Sequence, residues 1–266
     1  MKEIKSNLRW AGGKSKMIKI LDNFFPKKID KYLETFIGGG SVLLHIIQKY
    51  NPKVIYANDI NQNLINYYNC VQNCPQILVD DCLKIKNNYT KETFATEFTK
   101  LNRDIASDFF ISNKTSFSGL NYNYSQLAYD RNFSVNSINK IMDISSVIQN
   151  VNFINEDFIN IENTISEIKD YFIYLDPPYY SNKDKGLYGK KGELHKNFNH
   201  LELFNFVNRL SVDNQIMISY DDDPYIRELY KDYNIYNFDF VYSMTNVGGN
   251  QCKVGKEIVI TNYKVE

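Results

Sequence analysis

A short apolar strand, a run of glycines and a helix follow one another early in the chain, and no other feature narrows the fold as much. Lys31-Tyr32-Leu33-Glu34-Thr35-Phe36 reads as a strand, Gly38-Gly39-Gly40 as a turn, and residues 41–50 carry apolar side chains at helical spacing. Val54-Ile55-Tyr56-Ala57-Asn58-Asp59 is a second strand. Together they make a βαβ unit, which calls for an α/β fold. Strand character returns at 151–154, 171–175, 215–219, 235–241 and 257–262, with helical segments at 200–210 and 224–231. The last two strands flank Gly248-Gly249-Asn250 and read as an antiparallel hairpin closing the sheet edge.

Between about 61 and 147 the alternation stops. Helix-like stretches at 62–72, 75–87 and 91–107 lead into a polar loop rich in Asn, Ser and Tyr, so an inserted, mainly helical module is expected there. The sheet domain is then built from residues 1–60 and 148–266, and a chain of 266 residues is long enough for both parts.

The formal net charge is zero, with 31 Lys and Arg against 31 Asp and Glu, so global basicity says nothing about partners. Local imbalance does: residues 1–31 hold nine basic side chains against three acidic, and residues 183–196 hold five lysines against two acids. Such faces can meet phosphates on a neutral protein, although lysine clusters also occur as plain solvated surface. The 183–196 stretch is expected to be a loop that orders on a nucleic acid. Cys70, Cys74, Cys82 and Cys252 form no CxxC pair and no metal-ligand spacing with the three histidines, so no metal is expected. His195 and His200 read as loop and helix-face residues rather than catalysts. The N-terminus lacks an apolar signal core and no apolar run approaches the ~20 residues of a membrane span, which predicts a cytoplasmic protein with no membrane partner.

Asp176-Pro177-Pro178-Tyr179 follows the apolar run Tyr171-Phe172-Ile173-Tyr174-Leu175. A strand ending in a carboxylate, two rigid prolines and a ring can hold the amino group of a flat nitrogen heterocycle. Asp176 accepts one N–H, the Pro177 carbonyl a second, and the Tyr179 ring stacks on the base. That chemistry suits methyl transfer to an exocyclic amine. The same residues also make an ordinary strand-to-turn junction, because Asp-Pro starts turns and a second proline stiffens them.

Phe36-Ile37-Gly38-Gly39-Gly40-Ser41 lies at a strand-to-helix turn, where glycines let the backbone pass close to a ligand and the helix N-terminus offers N–H groups. A dinucleotide fingerprint needs a glycine at the third position after Gly40, where Leu43 stands, so a nucleoside-type cofactor is favoured over a pyrophosphate. Asp59, ending the second strand, is placed to accept from ribose hydroxyls. Trp10-Ala11-Gly12-Gly13-Lys14-Ser15 ends like a phosphate loop, but Leu8 stands at the first glycine position and no strand precedes it. A Gly-Gly flanked by Trp10 and Lys14 suits a cofactor carrying an aromatic base and a carboxylate. Asp157 and Phe158 follow the third strand at the sheet edge shared with Asp59 and Asp176, where ligands of open α/β sheets collect. Asp157 can accept from an adenine amino group, and Phe158 can add its backbone N–H or ring. The segment 112–124 mixes amides, hydroxyls and rings with one lysine, a composition that reads base edges and wedges between bases, and equally that of a solvated Asn-rich loop.

Taken in order, Trp10-Ala-Gly-Gly-Lys14, Glu34-Thr-Phe-Ile-Gly-Gly-Gly-Ser41, Asp59-Ile-Asn61, Asn113-Lys-Thr-Ser-Phe-Ser-Gly119, Asp157-Phe158, Asp176-Pro-Pro-Tyr179 and Thr261-Asn-Tyr263 resemble the Dam-type, D12-class DNA adenine-N6 methyltransferases. The resemblance implies a Rossmann-like S-adenosylmethionine-dependent methyltransferase sheet as the catalytic domain (1–60 and 148–266) and a target-recognition domain (61–147). It implies that Trp10, Lys14, Phe36, Gly38, Gly40, Asp59, Asp157, Phe158 and Asp176 hold or border the cofactor. Asp176, Pro177, Pro178 and Tyr179 become the catalytic residues, and Arg9, Asn113, Lys114, Phe117, Ser118, Asn121 and Tyr122 the DNA contacts. Ser118, Asn121 and Tyr122 differ from the residues of GATC-reading members, so the recognition sequence does not carry over. The implied partner is double-stranded DNA, in a bacterial or phage setting that leaves room for a cognate restriction endonuclease.

Adenine in a duplex hides its amino group, so the base must be flipped out, at about a few kcal/mol. Hydrogen bonds to Asp176 and the Pro177 carbonyl then localise the N6 lone pair as attack begins, strengthening towards the transition state. No covalent intermediate is needed; a cytosine-C5 enzyme would want a cysteine after proline, and here the order is Cys74-Pro75. The Asp-Pro-Pro-Tyr grip does not by itself choose the ring, leaving cytosine N4 in DNA or an RNA base as alternatives, and a non-catalytic nucleotide- or DNA-binding module as a reading from another class.

Overall fold

The computed structural model describes residues 3–180, 198–241 and 254–265. The basic stretch 183–196 with His195, the Gly248-Gly249-Asn250 turn and Cys252 lie outside the described residues. Seven strands are described, β1 (Lys31–Glu34), β2 (Val54–Asn58), β3 (Val151–Ile154), β4 (Phe172–Leu175), β5 (Gln215–Asp221), β6 (Asn234–Val241) and β7 (Val254–Thr261), and they are the strands of a mixed α/β sheet. Chain packing defines two compact units, Met1–Ile18 with Ile37–Asp157, and Lys19–Phe36 with Phe158–Glu266.

In the second of these units the strand order is β1-β4-β5-β7-β6. β1, β4 and β5 run parallel, and β7 lies antiparallel between β5 and β6. All four residues of β4 are buried, the continuous apolar pattern of a central parallel strand covered on both faces. The expected terminal hairpin is present, with β7 as its inner strand and β6 at the edge. β5 continues two residues past its expected end at Ser219, because its ladder with β7 extends to the pair Asp221↔Glu257.

In the first unit β2 and β3 pair in parallel, from Ile55↔Val151 to Asn58↔Ile154. The helix Ser41–Tyr50 precedes them in the chain, and helices fill the sequence between them. Gln62–Asn73 starts at Asn61, whose side chain accepts from the N–H groups of Asn63 and Leu64. Pro75 opens Pro75–Asn88, and Ser134 with Ser137 forms a capping box for Val135–Val147. Tyr67, Phe109 and Phe110 pack at their centre, with the Tyr67 and Phe110 rings stacked at 5.8 Å.

Two expectations for this region change. The helix expected over 91–107 is broken between Phe94–Phe98 and Ala106–Thr115, where the Asn102 side chain accepts from Asp104 N and Asp108 accepts from Asn102 N. Such short side-chain turns compete with helix for the same backbone groups. The polar loop expected from 112 begins only after Thr115: Ser112, Asn113, Lys114 and Thr115 end a helix and are buried. Their polarity is absorbed locally, Ser112 Oγ donating to Phe109 O and Thr115 Oγ1 to Ile111 O. Among the described residues no helix is long and apolar enough to cross a membrane.

Candidate active site

Asp176 stands one residue beyond β4, at the end of a fully buried strand. Its Oδ1 accepts a hydrogen bond of 2.9 Å from Ser219 Oγ on β5. Ser219 Oγ also lies 2.9 Å from the hydroxyl of Tyr174. A serine has one hydrogen to give and the carboxylate can only accept it, so Tyr174 is the donor to Ser219 and the relay runs Tyr174 to Ser219 to Asp176. Pro177 is buried, whereas Asp176, Pro178 and Tyr179 are half-buried. The Tyr179 hydroxyl donates to Glu257 Oε2 on β7 at 2.7 Å, and its ring centroid lies 6.1 Å from that of Tyr220. Burial, reinforced by the charges of Asp176 and Glu257, pushes the Tyr179 hydroxyl well above its ordinary pKa. Burial and Asp176 do the same to Tyr174. Both tyrosines therefore stay neutral donors at any working pH.

Phe36, Phe158 and Phe198 form a triangle of rings in the same unit, with centroids 5.6–5.8 Å apart. Phe158 is buried against Phe206, while Phe36 is half-buried. His200, at the start of the helix His200–Leu210, is buried with Nδ1 2.8 Å from the Tyr220 hydroxyl.

In the other unit the glycine turn is shaped by two aromatic residues. Gly38 and Gly40 have φ of 46° and 68°, the left-handed region that glycine enters without strain. A Cβ on Gly38 would lie 2.6 Å from Trp10 Nε1, and one on Gly40 would lie 2.5 Å from the Tyr68 hydroxyl oxygen. The backbone approaches that the glycines permit are thus to Trp10 and Tyr68 as well as to any ligand. Lys14 is buried and its Nζ donates to Gly12 O at 3.0 Å.

Asp59 closes the turn from the far side. Its Oδ2 accepts from Gly38 N at 3.0 Å and its Oδ1 from Asn61 N at 2.9 Å. Burial raises its pKa to about 6 against the opposing pull of these two bonds. Asn58 clamps the backbone of Glu156 through a pair of 3.0 Å bonds, and Asn155 Nδ2 donates to Asp59 O. The segment leading into Asp157, which is half-buried, is thereby tied to Asp59.

The expected DNA contacts divide into two groups. Asn113 is fully buried, and its carboxamide accepts from Arg9 N and donates to Arg9 O and Gly119 O. It holds the Arg9 backbone. Arg9 Nη1 donates to Ser116 O. Lys114 is buried with its ammonium 5.3 Å from the centre of the Phe110 ring, and burial, with Lys140 and Arg9 adding repulsion, lowers its pKa to about 8. Phe117 and Tyr122 are the outward members, 66% and 56% exposed on a tight hairpin closed by the Ser116↔Tyr124 bridge. Ser118 and Asn121 take left-handed backbone conformations at its turn and are half-buried.

Four supporting residues escaped the sequence reading: Asn58, Tyr68, Ser219 and Glu257. Their only signal is a polar group inside an apolar run, as in Ile218-Ser219-Tyr220 and Glu257-Ile258-Val259. Their partners lie far along the chain.

A mixed α/β sheet with a glycine turn after β1, an acid after β2 and Asp-Pro-Pro-Tyr after β4 is the frame of a Rossmann-like methyltransferase. The family model for D12 class N6 adenine-specific DNA methyltransferase matches residues 10–244, and the chain belongs to that family. It is an adenine-specific DNA methyltransferase. Among curated proteins it is 27% identical to the type II methyltransferase M.MjaIII of Methanocaldococcus jannaschii over 98% of this chain and 100% of that one. It is 27% identical to the type II methyltransferase M1.LlaDCHI of Lactococcus lactis subsp. cremoris over 97% of each. With the type II methyltransferase M.CviBI of Paramecium bursaria Chlorella virus NC1A it shares 26% identity over 98% of this chain and 100% of the relative.

Proposed function

We propose that the methyl donor is S-adenosylmethionine, that the target is one adenine of a specific duplex sequence flipped out of the helix, and that Asp176, Pro177, Pro178 and Tyr179 grip it. The observation that carries this reading is the Asp176 carboxylate, held at the tip of a buried strand with a tyrosine ring anchored three residues on. S-adenosylmethionine supplies an electrophilic methyl group on a sulfonium. The chain's own residues suit such a cofactor: Asp59 offers free lone pairs for ribose hydroxyls, Lys14 a cation for a carboxylate, and Trp10, Phe36 and Phe158 apolar ring surface. Gly38 and Gly40 set the turn, and Asp157 offers an acceptor for an adenine amino group.

On the substrate side, Asp176 and the Pro177 carbonyl each accept one N–H of the amino group, which turns the nitrogen lone pair out of conjugation as attack begins. Tyr179, neutral and anchored, stacks on the extruded base and offsets part of the flipping cost. Pro178 keeps the turn rigid. Phe117 and Tyr122 are suited to wedge at the base stack, Ser118 and Asn121 to read base edges, and Arg9, with Asn113 behind it, to meet the backbone, while the buried ammonium of Lys114 adds positive charge beneath that DNA-binding surface. Residues 61–147 act as the target-recognition domain and residues 1–60 with 148–266 as the catalytic domain. The type II names of the relatives support a cognate restriction endonuclease as companion, with the enzyme at work on DNA in the cytoplasm of a bacterial or phage-infected cell. Titration calorimetry with S-adenosylmethionine tests the cofactor assignment: one site per chain is expected, weakened at least about tenfold by Asp59→Ala. No heat of binding in the folded wild type, with or without DNA, overturns it.

A further inference from the structure

The Asp-Pro-Pro-Tyr turn is held from two neighbouring strands by polar side chains with no assigned part in the reaction. Ser219 on β5 and Glu257 on β7 are both essentially inaccessible, at 0% and 1% exposure. Serine and glutamate are rarely buried to this degree in the interior of a sheet unless a partner requires them. Each has one. Ser219 is bonded to the Asp176 carboxylate, and Glu257 to the Tyr179 hydroxyl.

The register explains how two strands serve one turn. Ser219 pairs with Val259 and Asp221 with Glu257. Side chains alternate along a strand, so Ser219 and Glu257 lie diagonally on the same face of the sheet. Tyr174 pairs in parallel with Met217, two residues before Ser219, and its hydroxyl reaches Ser219 on that face. The relay leaves Asp176 Oδ1 accepting from a fixed donor, which sets the rotation of the carboxylate about its Cβ–Cγ bond. The Glu257 bond sets the tilt of the Tyr179 ring, because a para hydroxyl pinned at 2.7 Å leaves the ring little freedom to swing.

We propose that Ser219 and Glu257 are positioning residues of the methyl transfer, Ser219 aiming the carboxylate of Asp176 and Glu257 aiming the stacking ring of Tyr179. This rests on the roles given above to Asp176 and Tyr179. Neither residue touches the base. Removing either leaves cofactor and DNA affinity nearly intact and lowers the rate of the step in which the amine is held.

The test uses the full chain, labelled S-adenosylmethionine and phage DNA that carries no adenine methylation. Ser219→Ala is expected to lower kcat about tenfold or more, as befits loss of a hydrogen bond to a charged group, with KM for DNA within about twofold. Ser219→Thr, which keeps the hydroxyl, restores most of the rate; Ser219→Cys replaces it where the extra methyl prevents folding. Glu257→Gln keeps an acceptor and stays within about threefold of wild type, whereas Glu257→Leu falls about tenfold. In a Tyr179→Phe background Glu257→Leu costs nothing further, because the hydroxyl it served is gone. The proposal is overturned if Ser219→Ala or Glu257→Leu keeps the wild-type kcat, or if the losses of Tyr179→Phe and Glu257→Leu multiply. Asp176→Ala, run alongside, separates the two levels. If that variant turns over, the underlying reading fails; if it is inactive while Ser219→Ala and Glu257→Leu are unimpaired, only the positioning roles fail.

Discussion

Cofactor binding should weaken in mild acid, and Asp59 sets the window. In the cofactor site proposed above its carboxylate, when ionised, accepts from ribose hydroxyls while it also holds Gly38 N and Asn61 N. Burial raises its pKa to about 6. At pH 5 only about one molecule in eleven carries the ionised form, so affinity for S-adenosylmethionine should be about tenfold lower than at pH 7.5, roughly 1.4 kcal/mol. The ligand's own groups contribute little, since the α-carboxyl changes charge near pH 3.5 and the α-amino group near 8, so that only about a quarter of the latter has lost its proton at pH 7.5. Stability of the free protein responds with the opposite sign. A carboxylate whose folded pKa lies above its unfolded value binds protons more tightly when folded, so this group's contribution falls as pH rises from about 4 to 6. The limit is about 3 kcal/mol from the two-unit shift, and less in practice because Asp59 is half-buried. Titration calorimetry at pH 5, 6 and 7.5 checks the affinity. A flat profile, or the same slope in Asp59→Asn, would refute the reasoning.

Lys114→Met should raise the melting temperature, by the equivalent of about 1–3 kcal/mol, because a buried ammonium with a pKa lowered to about 8 costs folding energy that a thioether does not; DNA affinity at low salt should fall severalfold, and an unchanged melting point would count against the burial argument. Gly40→Ala should destabilise by about 1–3 kcal/mol, since it strains a φ of 68° and drives a Cβ into the Tyr68 hydroxyl, whose ring stacks on Phe153; adding Tyr68→Phe should recover part of the loss in thermal denaturation, and failure to recover any would disprove the clash. Phe117→Ala should leave stability within about 0.5 kcal/mol, as befits a ring 66% exposed, yet lower kcat/KM on DNA about tenfold, and unaltered kinetics would remove it from the DNA interface.

The elements proposed to bear chemistry are legible in the sequence because each is local. Asp59 and Asp176 follow apolar strands, Gly38 and Gly40 break a strand from a helix, and these patterns need no knowledge of partners. The supports were not legible. Ser219 meets Asp176 across 43 residues and Glu257 meets Tyr179 across 78, contacts that only the strand order creates. The segment 112–115 misled for a related reason: its polar side chains bond to their own helix and to Arg9, so composition suggests a solvated loop where the fold places a buried helix end. The break before Ala106 rests on Asn102 and Asp108, residues that helical periodicity alone tolerates.

The most direct measurement is transfer of labelled methyl to duplex DNA followed by digestion to nucleosides, for wild type and for Asp176→Ala with its fold verified by circular dichroism. Label in N6-methyladenine with the wild type, and none with the variant, is the predicted result. Label in N4-methylcytosine, or turnover that survives loss of the Asp176 carboxylate, would contradict the account.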